Sequence, residues 1–192
     1  LIDNCLPPHL HADFSIRALE AGKHVLCEKP MALTSADCDR MVATAKRVGK
    51  QIFVGHVLPF FPEYAYARKL ADSGEYGRLI GGSFKRVIAD PLWLDDFFDA
   101  DRVGGPLVDL HVHDAHFIRM MFGMPTTLFS QGRMRGDVVE YCSTFLGLIY
   151  PQLTVTATSA VINQLVRDFT IASLRHFVNA TVHVDFAVFT AT

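Results

Sequence analysis

Short apolar runs and amphipathic stretches take turns along the first part of the chain. The runs at 2–6, 24–28 and 51–57 have the length and turn-rich flanks of buried strands. The stretches 10–21 and 36–48 carry apolar residues at helical spacing, with Met41, Ala45 and Val48 on one face of the second. Thr34 and Asp37 have the spacing of a capping box at its start, and Gly49 stands just past its end. This alternation predicts a parallel α/β sheet. The chain opens on a run that already reads as strand, and a strand left without a neighbour exposes unpaired backbone groups. The pattern therefore predicts that part of the sheet lies upstream of residue 1.

From about residue 60 the pattern changes. A helix is predicted to residue 73, a turn at 74–77, a strand over 79–88, and an irregular aromatic stretch over 90–102. The next helix runs over 106–122, with Pro106 suited to its first position and Gly123 to its stop. Beyond it, period-2 runs set Leu153, Val155, Ala157 and Val161 on one face against Thr154, Thr156 and Thr158 on the other, as in a sheet buried on one side. The tail combines a helical stretch, 169–180, with an alternating run, 182–188. Two domains are predicted, 1–59 and 60–192.

Half of the 192 residues are apolar, enough for a sizeable core, and the net charge is −2 with no basic stripe. The balance speaks against a nucleic-acid partner and for a small ligand. Four scattered cysteines without a C-x-x-C pair read as reduced thiols, hence a cytoplasmic protein. The first residues lack a signal peptide's basic and long apolar regions, and no run is long enough to span a bilayer.

Candidate chemistry sits in a few places. Pro30 keeps Lys29 out of helical geometry, so Glu28-Lys29-Pro30 leaves the sheet extended at a strand's carboxyl end, where open α/β sheets bind ligands. Lys29 there can donate to a substrate hydroxyl, although a plain surface turn reads the same way. On the 106–122 helix, Asp109, His113, His116 and Met120 share one narrow polar stripe among apolar neighbours. A carboxylate one turn before an imidazole can fix its tautomer for proton transfer, and a self-satisfied buried pair is the alternative. His111 points roughly 160° away from His113 on a helix, which sets a metallohydrolase reading behind the others, and no metal is expected. Pro7-Pro8-His9-Leu10-His11 and Gly55-His56 follow strands at the same edge, as ligand contacts or as ordinary connections. No G-x-G-x-x-G loop occurs.

These segments resemble the Gfo/Idh/MocA family (glucose–fructose oxidoreductase, inositol dehydrogenase) of NAD(P)-dependent oxidoreductases. Residues 1–34 are similar to the family's later Rossmann strands, with the Pro-x-x-x-His turn and E-K-P signature, and GGPLVDLHVHD at 104–114 is similar to its G-G-x-L-x-D-x-x-x-H-D helix. The resemblance implies a partial Rossmann sheet, missing its glycine-rich start, followed by an α+β domain with an open-faced, mostly antiparallel sheet that can join copies of the chain. It implies NAD or NADP as cofactor and a sugar or polyol substrate, with Lys29, Asp109 and His113 as the catalytic set. Pro7, His11, Glu28, Lys29 and Pro30 fall near the nicotinamide, and Lys29, His56 and His116 near the substrate. His111 stands where the family usually has glycine, His116 where many members have aspartate, and Pro59 where a basic residue is expected. A non-redox nucleotide- or sugar-binding protein on the same scaffold, or an inactive remnant, remains the alternative function.

Overall fold

A computed structural model describes residues 1–77, 79, 81–91, 94–148, 153–162 and 181–185. The predicted helix at 169–180 lies outside them. Three short strands, β1 (Ile2–Asn4), β2 (Val25–Cys27) and β3 (Ile52–Val54), form a parallel sheet in that order, with Cys27 opposite both Asn4 and Val54. Helices α1 (His11–Glu20) and α2 (Ser35–Val48) make the crossovers and bury Leu19, Val25, Met41 and Ala45 in one core. The N-cap half of the expected capping box is present: Thr34 Oγ1 accepts from the Asp37 amide at 3.1 Å, while the Asp37 carboxylate accepts from the Thr34 hydroxyl at 2.8 Å, and Gly49 ends α2 at φ 64°. Thr34→Ala is expected to cost about 1 kcal/mol, read as a shift in the urea unfolding midpoint.

Helix α3 (Pro62–Ser73) leads into a five-stranded sheet with order β5-β6-β7-β4-β8. Its strands are β4 (Gly81–Ala89), β5 (Thr127–Arg135), β6 (Val138–Leu148), β7 (Leu153–Ile162) and β8 (Thr181–Asp185). Only β4 and β7 pair in parallel; the other three pairings are antiparallel, so the mostly antiparallel sheet is present. Along β7, Val155, Ala157, Ser159 and Val161 are buried, which is the predicted two-residue period with a serine inside it. The edge strand β5 is exposed along its whole length, with Leu128 and Phe129 more than 60% exposed.

Helix α4 (Gly105–Phe122) lies on this sheet and contributes Phe117 and Ile118 to a core with Leu58, Tyr64, Phe84, Val155 and Ala157. Its start explains the glycine pair. Both glycines have positive φ, and a Cβ on Gly105 would come within 2.6 Å of the Val138 side chain. The close approach that Gly105 permits is therefore between helix and β6, while a Cβ on Gly104 would meet Val108 of α4 itself. No helix among the described residues is long and apolar enough to cross a membrane.

Candidate active site

The three parallel strands deliver their carboxyl ends to one edge, which faces α4. β2 ends at Cys27 and the chain runs on through Glu28, Lys29 and Pro30, with a cis Lys29–Pro30 peptide. Lys29 Nζ donates to Asp109 Oδ1 at 2.6 Å and to the Asp109 carbonyl at 3.2 Å, joining the parallel sheet to α4. Both side chains are about one-fifth exposed, so the pair is neither sealed nor free. An ammonium has three N–H donors; two are spent on Asp109 and one is left for a ligand oxygen.

β3 ends in Gly55-His56, and the His56 ring stacks on His116 of α4, with centroids 4.1 Å apart and planes 8° from parallel. Buried Nδ1 atoms of His56, His113 and His116 have no hydrogen-bond partner. Burial is the main cause that lowers the affinity of all three rings for a proton. His56 falls to about 4, helped by His116 and Lys29. His113 also falls to about 4, helped by Lys29 and Arg86 and opposed by Asp109. His116 is lowered by burial alone. At neutral pH the cluster therefore holds uncharged imidazoles beside a compensated ion pair.

Because the folded values of His56 and His113 lie below the unfolded one of 6.5, the folded state binds fewer protons than the unfolded state between the two. Their contribution to stability is complete above pH 6.5 and is lost as the pH falls to about 4. Urea midpoints measured between pH 7.5 and 4.5 are expected to fall, and to fall less when His56 and His113 are replaced by glutamine.

Two sequence-based expectations are corrected. Asp109 does not orient His113: its carboxylate is engaged by Lys29, and His113 Nδ1 has no partner. The cause is charge and reach, since the ammonium arriving after β2 comes within 2.6 Å of the carboxylate and binds it more strongly than a neutral ring would. His11 was expected near the cofactor, yet it is 1% exposed with Nδ1 on the Pro30 carbonyl at 2.8 Å and Nε2 on the Leu6 carbonyl at 2.6 Å. Its ring has no free nitrogen for a ligand and ties the turn after β1 to the segment carrying Lys29. Pro7 and Glu28 are exposed at the same edge, and Pro30 is buried behind Lys29. His111 donates to or accepts from Ser159 at 2.9 Å, in keeping with a hydrogen-bonded packing role. Among the described residues no three His, Cys, Asp or Glu side chains are placed to share a metal ion.

One pair escaped sequence reasoning. Arg86 of β4 and Asp114 of α4 form a bidentate ion pair, both bonds at 2.9 Å, with Asp114 2% exposed. The available signal was a charged residue two positions after Phe84, in the inward register of its strand.

Comparison with known proteins bears on this arrangement. Residues 2–56 match the family described as "Oxidoreductase family, NAD-binding Rossmann fold", and residues 64–192 match the "GFO/IDH/MocA C-terminal domain". The chain belongs to the Gfo/Idh/MocA family. Within it, the chain is 40% identical over 119 residues to "Uncharacterized oxidoreductase ORF334" of Rhizobium meliloti, covering 61% of this chain and 35% of that protein. It is 34% identical over 139 residues to a dTDP-3,4-didehydro-2,6-dideoxy-alpha-D-glucose 3-reductase of Streptomyces violaceoruber, 71% of this chain and 38% of the reductase. Aldose-aldose oxidoreductase from Caulobacter crescentus, solved with glycerol, superposes with TM-score 0.77 at 27% identity, over 82% of this chain and 49% of the other. The chain thus spans between about one-third and one-half the length of these Gfo/Idh/MocA relatives.

Proposed function

We propose that this chain forms the substrate-facing part of an NAD(P)-dependent dehydrogenase acting on a CH–OH group of a sugar or polyol. Residues 1–59 serve as the C-terminal part of a dinucleotide-binding Rossmann domain, and 60–192 as the substrate and self-association domain. The observation that carries the reading is the set of three buried imidazole nitrogens without partners, grouped around the Lys29–Asp109 pair where parallel strands end. Buried polar atoms are otherwise nearly always paired, so such a group suits a ligand rich in hydroxyls.

The open edge also suits a nicotinamide cofactor: the exposed Pro7 turn, Glu28 and Lys29, backed by Pro30, lie beside the cluster. A bound nicotinamide supplies the hydride acceptor or donor. Lys29 gives its remaining N–H to the reacting oxygen and favours negative charge there. His113, uncharged at neutral pH, takes the hydroxyl proton on a ring nitrogen during oxidation and returns it during reduction. Asp109 holds the lysine in place, and His56 and His116 bind neighbouring hydroxyls. The names of the reductase and of the aldose oxidoreductase support a sugar-like substrate. The exposed edge strand β5 offers the surface for a second copy.

Calorimetric titration with NADH and NADPH, followed by a hydride-transfer screen over aldoses and polyols, tests the proposal. Cofactor binding with turnover of a polyol is the expected result. Binding without hydride transfer to or from any of them would overturn it in favour of a non-redox binding protein.

A further inference from the structure

Asp114 follows His113 directly and lies about 100° round α4 from it, on the face packed against the five-stranded sheet. Its carboxylate takes both Arg86 Nε and Arg86 Nη2 at 2.9 Å in a two-pronged contact, and the Arg86 side chain is 10% exposed. The Tyr64 hydroxyl is buried beside the guanidinium. Pairs of this kind are weak devices for stability, because desolvating two charges offsets most of their attraction, and apolar residues of the same size fill such a place as well or better. What a two-pronged pair does supply is direction: two parallel bonds between planar groups fix both the rotation and the axial position of the helix that carries one of them. A slip of one residue along α4 turns Asp109 and His113 by about 100° and carries them about 1.5 Å, out of reach of Lys29.

The guanidinium also reaches His113 electrostatically. The charged and titratable groups that bear on its ring are Lys29 after β2, Arg86 of β4, His56 after β3, and Asp109 on α4 itself. Arg86 is the one among them held in place by a partner outside the substrate cluster.

We infer that Arg86 and Asp114 are positioning residues for proton transfer: their ion pair sets the rotation of α4 that brings Asp109 to Lys29, and it fixes a positive charge beside His113. This rests on the reading of His113 as the proton-transfer group, but one of its tests does not need turnover. In the double variant R86M/D114L the pair is replaced by apolar residues of similar volume, and the fold is expected to persist by urea denaturation. The His113 titration, followed by nitrogen NMR, is then expected to move up from about 4 while staying well below 6.5, because burial, the largest cause of the shift, and Lys29 both remain. A folded double variant with an unchanged His113 titration would overturn the inference. Arg86→Lys keeps the charge and gives up the two-pronged contact. It is expected to leave the His113 titration low while reducing kcat by about 10–100-fold at unchanged cofactor Kd. Full turnover by R86K would overturn the directional role. If the protein shows no dehydrogenase activity at all, the proposed function fails while the His113 titration still decides the electrostatic role.

Discussion

His113→Ala is expected to lower kcat for alcohol oxidation by about 10²–10⁴-fold while leaving cofactor binding by calorimetry intact. The reason is the state of the ring: burial, with Lys29 and Arg86 close by, keeps it uncharged across the neutral range and able to accept the hydroxyl proton. The unmodified protein should accordingly show kcat/KM that is flat through neutral pH and falls only as the pH drops through about 4, where the ring becomes protonated. The variant should lack that limb. Lys29→Met should give a loss of similar size, since it removes the N–H left over for the reacting oxygen and frees the Asp109 carboxylate. Steady-state kinetics over pH on both variants make the check, and turnover unchanged in either would remove that residue from the proposed catalytic set.

The largest effect on stability is expected at a residue that takes no direct part in the chemistry. Asp114→Ala leaves the Arg86 guanidinium enclosed with no countercharge, and breaking a buried pair from one side costs about 3–5 kcal/mol. Removing both charges in R86M/D114L should cost far less, because the desolvation penalty disappears with them. Urea unfolding of the two variants side by side gives the measurement. Equal losses would show that the site depends on side-chain volume and not on an unpaired charge.

Both expectations concern groups whose surroundings local sequence describes unevenly. The parallel start of the fold was legible because its elements carry their own signals, Met41 and Ala45 at helical spacing with Thr34 before α2 and Gly49 after it, and in the second part Pro106 and Gly123 marked α4 in the same way. Boundaries were less so. β1 and β3 are three residues long where longer runs were expected, because apolar residues beyond Asn4 and Val54 leave the sheet for the turns at its edge. In β7 the alternation was readable through Val155, Ala157 and Val161, with Ser159 keeping the period in order to reach His111.

At the candidate site the sequence determined which residues are present and on which elements: Lys29 at the end of a strand, and Asp109, His113 and His116 along one side of a helix. That follows from short-range geometry, since a 3.6-residue repeat and a proline after lysine act within a few residues. Tertiary structure decided who pairs with whom. Lys29 and Asp109 are 80 positions apart, and Arg86 and Asp114 are 28 apart. Local spacing offered Asp109 to His113, but a charged donor arriving from another strand at 2.6 Å outcompeted the neutral ring one turn away. The imidazole cluster has the same origin, because the stacking of His56 on His116 and the burial that keeps these rings uncharged exist only once the parallel sheet and α4 have met.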